Sequence, residues 1–415
     1  MKKIAKYAMF FSALSLGFMS CDGNEPTEPT PVADNVLSGL IEEDMTLTKD
    51  IIWELNGRVI VTNNATLTIE PGTIIKGRDG IGANASVLMI AADGMIDAEG
   101  TAAEPIIFTS ISDNIELGQK FGTNLTQNDA QEWGGVVILG KAPISPDAGT
   151  VAQIEGVPAS QALGQYGGSE ATHNSGILKY VSIRHGGQTI DAAAGNDING
   201  LTLGGVGSGT TISYIEIFAN FDDGIEFFGG TVNASNLLVY TVGDDAIDVD
   251  QAYAGTISNF RVYTSAAASS DEALEIDGPE GAENAEGKFT ISTGTITSVD
   301  GGGFAGDFKS KAQGTVSNVS WSGFDAGNDL VKIRASYNDA DCSTKTDSYS
   351  NLVAGDLAFT NVAVEGVEVY TASEACTVST EAQLAAEAEI NVGVASGFSI
   401  AAFSFWTISS NLELL

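Results

Sequence analysis

The sequence predicts an all-β chain wound as a parallel β-helix, a solenoid of stacked coils. An acidic phrase is written three times in one stretch, as Asp222-Asp223-Gly-Ile-Glu226, Asp244-Asp245-Ala-Ile-Asp248 and Asp271-Glu272-Ala-Leu-Glu275, at spacings of 22 and 27 residues. Each phrase closes a unit opened by a Thr and a β-branched residue (Thr211-Ile212, Thr231-Val232, Thr256-Ile257), and repeats of about 20 to 30 residues mark solenoid coils. Short β-branched runs end in Gly or Pro corners, and no helical stretch of about ten residues separates them, so neighbouring coils must pair in parallel. With 415 residues, 49 Gly and 9 Pro, the chain reads as one large β body.

The N-terminus reads as an address. Residues 1–20 combine Lys2, Lys3 and Lys6 with an apolar run from Ala8 to Met19, too short to span a bilayer comfortably, which is the pattern of a secretory signal. Ser20-Cys21 ends that run and resembles a lipoprotein cleavage site, which would make Cys21 the acylated first residue. Phe18 and Met19 depart from the strict pattern, and the other reading is plain secretion with a spare Cys. The Pro-rich acidic stretch Asp22-Gly-Asn-Glu25-Pro-Thr-Glu28-Pro-Thr-Pro31 cannot pack a core, so residues 21–45 are expected to form an extended tether. Acidic residues after an acylated Cys resemble the export signal of bacteroidete-type lipoproteins. That resemblance implies an outer-membrane, lipid-anchored protein on the extracellular face.

Charge narrows the partners. The net charge is −36, and loss of residues 1–20, which hold three of the 18 basic and none of the 54 acidic residues, leaves 15 against 54, or −39. Such a field repels polyanions over about 8 Å at physiological salt and excludes nucleic acid as a partner. Cations, neutral ligands, or simple solubility in brine account for it.

The coils are expected over residues 46–335. Ala65-Thr-Leu-Thr-Ile-Glu-Pro-Gly-Thr-Ile-Ile-Lys76 reads as strand, corner, strand; Ser86–Ile90, Gly94–Gly100 and Glu104–Thr109 repeat the scheme. Leu67-Thr-Ile-Glu-Pro-Gly-Thr-Ile, Trp133-Gly-Gly-Val-Val-Ile-Leu-Gly140, Tyr166-Gly-Gly, Ser175-Gly-Ile-Leu-Lys-Tyr-Val-Ser-Ile-Arg184, Asn199-Gly-Leu-Thr-Leu-Gly-Gly-Val-Gly207, Phe227-Phe-Gly-Gly230 and Phe403-Ser-Phe-Trp406 together resemble the right-handed parallel β-helix lipoproteins of bacteroidete-type surfaces. The resemblance implies a right-handed helix and leaves the activity open. Cys342 and Cys376 remain once Cys21 is set aside, and an exported chain permits them to pair. Their bond, with free thiols as the alternative, would close an inserted loop or subdomain over 336–378, followed by C-terminal coils or a cap over 379–415.

The acidic phrases carry the chemistry. Strand alternation turns Ile225, Ile247, Leu274 and Ile276 inward, which sends Glu226, Asp248, Asp250, Glu275 and Asp277 outward as a column with about 4.8 Å per coil. Like charges near 4 Å repel by about 1 kcal/mol in water and about 4 kcal/mol at an effective dielectric of 20. Calcium, which takes six to eight oxygens, would neutralise the column, with ligands drawn from Asp222, Asp223, Glu226, Asp244, Asp245, Asp248, Asp250, Asp271, Glu272, Glu275 and Asp277. The bland alternative is that the corner Asp residues cap turns and the outward acids face water. Gly302-Gly-Phe-Ala-Gly-Asp307 loosely resembles a calcium-binding nonapeptide.

Carboxylates on adjacent rungs also suit a glycosidase, whose two acids lie about 5 to 9.5 Å apart. The phrases at 222–226 and 243–248 faintly resemble polygalacturonase-type hydrolases, yet the Gly-His-Gly and basic motifs of that family have no counterpart, and the two histidines are His173 and His185. His185 reads as an exposed corner residue. A lyase would draw its base from Lys309, Lys311, Lys332 or Arg334. Tyr240, Tyr253, Tyr263, Trp133 and Trp321 offer stacking platforms for sugar rings, although Trp133 opens an apolar strand and reads as core. The expected function is thus a surface β-helix that binds a glycan, another polymer or an outer-membrane protein, with calcium as its cofactor and no chemistry of its own. A polysaccharide hydrolase or lyase, and a purely structural surface protein, are the competing readings.

Overall fold

A computed structural model describes residues 35–155, 157, 162–190, 197–393 and 399–415. The expected signal peptide, Cys21 and the tether up to residue 34 lie outside them. Twenty-four strands join one continuous sheet whose pairings are all parallel, and the chain is a right-handed parallel β-helix. It starts earlier than residue 46: Val36–Ile41 already pairs with Trp53–Val61. Gly39, at φ 72°, shifts the register there, and so hides the strand from an alternation test.

Each central coil contributes one long and one short strand. The long ones, Gly176–Arg184, Thr211–Phe218, Asn233–Tyr240, Thr256–Thr264, Phe289–Ser298 and Gly314–Ser322, stack in that order. Each is bent by one residue at positive φ: Tyr180, Tyr214, Asn236, Asn259, Thr293 and Asn318. The ladder skips that residue, so Lys179 pairs with Ser213 and Val181 with Ile215. Inward positions on either side of the bend are therefore three residues apart, as at Leu178 and Val181, Ile212 and Ile215, and Ile257 and Phe260, all buried. Asn tolerates this left-handed backbone better than most residues, and Asn259 Nδ2 donates to Asn236 Oδ1 at 2.5 Å, a side-chain rung between coils.

The segment 336–378 is not an insertion. Leu357–Val362 pairs with Gly314–Ser322, and Gly366–Tyr370 with Leu330–Arg334, so the solenoid continues through it. The helix Ser348–Ala354, capped by Asp347, supplies the break in rhythm that the sequence shows. Cys342 and Cys376 are bonded, with Cα atoms 5.6 Å apart. The expected C-terminal coils are also revised. After the helix Thr380–Glu389 and the strand Ile390–Val392, residues 399–415 lie back along the flank of the long strands.

That strap is held by packing and by one carboxylate. Phe403, Trp406 and Ile408 are buried against Phe218, Leu238, Tyr240 and Tyr263, and Trp406 meets Tyr180 edge-on at 5.5 Å. Glu216 is fully buried and accepts from Ser182 Oγ (2.6 Å), Ile408 N (2.9 Å), Ser409 N (2.9 Å) and Ser409 Oγ (2.7 Å), with Arg184 Nη2 3.9 Å away. Replacing Glu216 by Ala leaves the strap donors without an acceptor and the buried Arg184 without its carboxylate, in a dry site. We expect a loss of about 3–5 kcal/mol, read as a lowered denaturation midpoint, and a midpoint unchanged in Glu216→Ala would refute this role for the strap.

Candidate functional site

The short strands Leu201–Gly204, Ile225–Phe228, Ile247–Asp250, Leu274–Ile276, Gly306–Phe308 and Leu330–Arg334 stack in register. Inward columns such as Ile225–Ile247–Leu274 and Phe227–Val249–Ile276–Phe308 are buried, each side chain worth about 1.5–3 kcal/mol. On the other face the register sets Thr202, Glu226, Asp248, Glu275, Asp307 and Lys332 in line. This column does not face open water as the alternation argument assumes: Glu226 is 6 % and Asp248 7 % exposed. A second layer lies over it. Asn199 Nδ2 donates to Glu226 Oε2 and lies 3.4 Å from Glu155 Oε1.

A second column runs along the corner. Asp245 N donates to Asp223 Oδ1 at 2.9 Å, and Glu272 N to Asp245 Oδ1 at 2.6 Å. Asp223 and Asp245 thus each receive the backbone N–H of the next coil. The first acid of each phrase is more open: Asp222 is half-buried, and Asp244 and Asp271 are exposed.

Compensation divides the ladder in two. Toward the C-terminus Lys309 pairs with Glu275, Lys332 Nζ lies 3.5 Å from Glu272 Oε1, and Tyr370 donates to Asp307 Oδ2 at 2.7 Å. Arg334 pairs with Asp347 instead, and the Lys311 ammonium reaches Pro279 O at 3.5 Å. None of the ion pairs among the described residues involves Asp222, Asp223, Glu226, Asp244, Asp245 or Asp248. Here Asp223, Glu226 and Asp248 place carboxylate oxygens within 4.8 Å of one another, as do Asp222, Asp223 and Asp244. Asp248 Oδ1 is buried with no hydrogen-bond partner.

Protonation follows this crowding. Burial, then the neighbouring carboxylates, pushes Asp223, Glu226, Asp245 and Asp248 well above the usual carboxylate range. Burial, then Glu155, Asp197 and Asp244, raises Asp222 to about 8. Burial, then Asp277 and Glu280, raises Asp250 to about 8. For the same first reason Glu155 and Glu272 rise to about 7 and Asp277 to about 6. A cluster in this condition is neutralised by protons or by a cation. Three carboxylates with oxygens this close, one oxygen unpartnered and no ammonium or guanidinium paired with them, fit a hard divalent ion such as calcium.

Other sequence candidates fall elsewhere. Asp250 and Asp277 lie two residues beyond the column; Asp250 is half-buried next to Gln251, and Asp277 N donates to Val249 O at 2.7 Å. His185 is a sealed residue, not an exposed one: its Nδ1 lies 2.6 Å from Asp129 O, and burial lowers its pKa. Tyr240, Tyr253, Tyr263, Trp133 and Trp321 are all buried and offer no platform; the Trp133 indole donates to Arg184 O at 2.7 Å. Within Gly302–Asp307 the one carboxylate is engaged by Tyr370. Sequence reading missed Asn199 and Glu155. Asn199-Gly-Leu201 sits one coil ahead of Asp223-Gly-Ile225, with Leu201 opposite Ile225, so Asn199 is the amide member of the corner column, detectable as a fourth, degenerate phrase. Glu155 comes from a distant loop and leaves no local signal.

The family model of the pectate-lyase-like beta-helix domain matches residues 39–408, whereas no curated protein matches the chain. The match runs from within the first strand to the C-terminal strap and fits a glycan-binding or polysaccharide-acting protein. On that match, and on its 24-stranded parallel sheet, the chain belongs to the pectate-lyase-like beta-helix family.

Proposed function

We propose that this protein is a lipid-anchored β-helix of the outer-membrane surface that binds a glycan without cleaving it, and that calcium sits among Asp223, Glu226 and Asp248. The observation that carries the cation is the unpartnered, buried Asp248 Oδ1 inside a carboxylate cluster with no paired base. The ion would supply charge neutralisation and cross-link two adjacent coils. The glycan reading rests on the family, and the anchor on Cys21 and the acidic residues behind it. The engagement of the candidate bases supports the non-catalytic reading: His185 is sealed, Lys309 and Lys332 are engaged with Glu275 and Glu272, and Arg334 with Asp347.

A hydrolase is the second reading, favoured by Asp222, a half-buried carboxyl held near 8 and hence protonated at neutral pH, as a general acid requires. Product analysis on a polysaccharide panel separates the two. The binding reading expects a raised melting temperature with no new reducing or unsaturated ends, and cleavage lost in Asp222→Asn would establish the hydrolase.

Thermal unfolding tests the cation. Calcium in hundredfold excess over its Kd should add about 2.7 kcal/mol of stability relative to chelator. In Asp248→Asn the calcium shift should vanish, while the melting temperature in chelator stays level or rises because a like charge is gone. A calcium shift of wild-type size in Asp248→Asn would rule out this site.

The pH dependence has a definite sign. Carboxyls raised on folding stabilise the protein when protonated, fully below the unfolded value near 4, and lose that contribution as pH rises through about 6 to 8. In chelator the melting temperature should fall from pH 5 to pH 8.5. With calcium the fall should shrink, because the ion replaces the protons. A chelated protein that is more stable at pH 8.5 than at pH 5 would contradict the assignment.

A further inference from the structure

A small cavity of about 170 Å³ opens at the corner that follows the long strands. Gln127, Asn128, Gln131, Asn220, Phe221 and Thr241 line it together with three alanines. In a chain with 54 acidic residues, this lining contains no ionisable side chain. It offers four carboxamides, one hydroxyl and one phenyl ring, and Phe221 is 44 % exposed where most aromatic residues of the coils are buried.

Two further observations describe the wall of the cavity. Asn220 and Thr241 are buried, yet Asn220 Oδ1 and Thr241 Oγ1 have no hydrogen-bond partner. The Asn220 amide is not free to turn away, since its Nδ2 donates to Asp223 O at 2.8 Å and to Ile198 O at 3.3 Å. Buried polar atoms without partners are uncommon and costly. The backbone is strained at the same place. Thr241 has φ 48°, a β-branched residue at a corner where His185 and Ala219 of the preceding coils also take positive φ, and Gln131 has φ 63°. Gln131 is nonetheless fixed, its amide donating to Thr189 Oγ1 at 2.9 Å.

We infer that this cavity is a subsite for one neutral pyranose unit. Its volume equals that of about six waters at about 30 Å³ each, below the usual range for larger ligands, and suits a single sugar ring. Carboxamides exchange hydrogen bonds with vicinal hydroxyls, and the phenyl ring takes the C–H face. A uronate would find no cation in the lining, and an amino sugar no carboxylate. The inference rests on the glycan-binding reading for its ligand class, but it needs no metal.

Saturation-transfer NMR on the full chain tests it, with methyl glucoside, methyl mannoside, methyl galactoside and glucuronate as probes, in calcium and in excess chelator. At least one neutral methyl hexoside should bind equally in both, glucuronate should not compete, and Phe221→Ala should weaken binding by about tenfold. Asn220→Ala risks misfolding through its two backbone bonds, so the exposed Phe221, with Gln131→Ala as a second variant, carries the test alongside a melting temperature. No transfer to any neutral hexoside overturns the inference, as does binding indifferent to both variants. Transfer that vanishes in chelator also overturns it, by moving the sugar to the acidic ladder, and leaves the proposed function standing.

Discussion

Stacking in register governs this molecule. When parallel coils repeat about every 4.8 Å, a choice made at one position is made again directly above and below. For apolar residues this is favourable, and columns such as Phe227–Val249–Ile276–Phe308 build the core from it. For carboxylates it is unfavourable, and the outer column of Glu226, Asp248, Glu275 and Asp307 must be relieved rung by rung. The chain relieves its C-terminal rungs with Lys309, Lys332 and Tyr370, whereas among the described residues the rungs at Glu226 and Asp248 have no ion pair and Glu226 has only the Asn199 amide.

Glu216 shows what a purely structural buried carboxylate looks like in the same fold. Four donors and an arginine surround it, and it fastens a strap more than 190 residues away in sequence. Asp223 and Asp245 are intermediate: one oxygen of each takes the N–H of the next coil, which explains an acid at the corner. Asp248 has neither kind of support on its Oδ1. The contrast sets the first two rungs apart from the rest of the ladder, and the crowding that raises these carboxyls is the same crowding that a divalent ion would relieve.

The fold was legible because a solenoid writes its period into the chain: the three acidic phrases mark successive short strands, and their spacing is the length of a coil. The bends were not legible. They shift the inward pattern from two to three residues at Tyr180, Tyr214 and Asn236, and a strict alternation test reads that shift as noise. The direction of the acids was legible, but their burial was not, because the covering layer comes from Asn199, in a coil whose phrase has lost its acids, and from Glu155, outside the repeat unit. Aromatic residues misled for a related reason. Tyr240 and Tyr263 leave the inner core as expected of platform residues, but the strap that covers them arrives from the far end of the chain, whereas the exposed Phe221 belongs to no repeat. The helix Ser348–Ala354 broke the visible rhythm without breaking the coil stack.

Crystals grown above pH 8 and soaked in a calcium surrogate with strong anomalous scattering, such as terbium, would locate the ion directly. The account predicts one anomalous peak within coordination distance of Asp223, Glu226 and Asp248, and none between Glu275 and Glu272, where lysines already stand. Carboxyl pairs closed by shared protons at the first two rungs with no peak between them, or a peak confined to the lysine-bearing rungs, would contradict it.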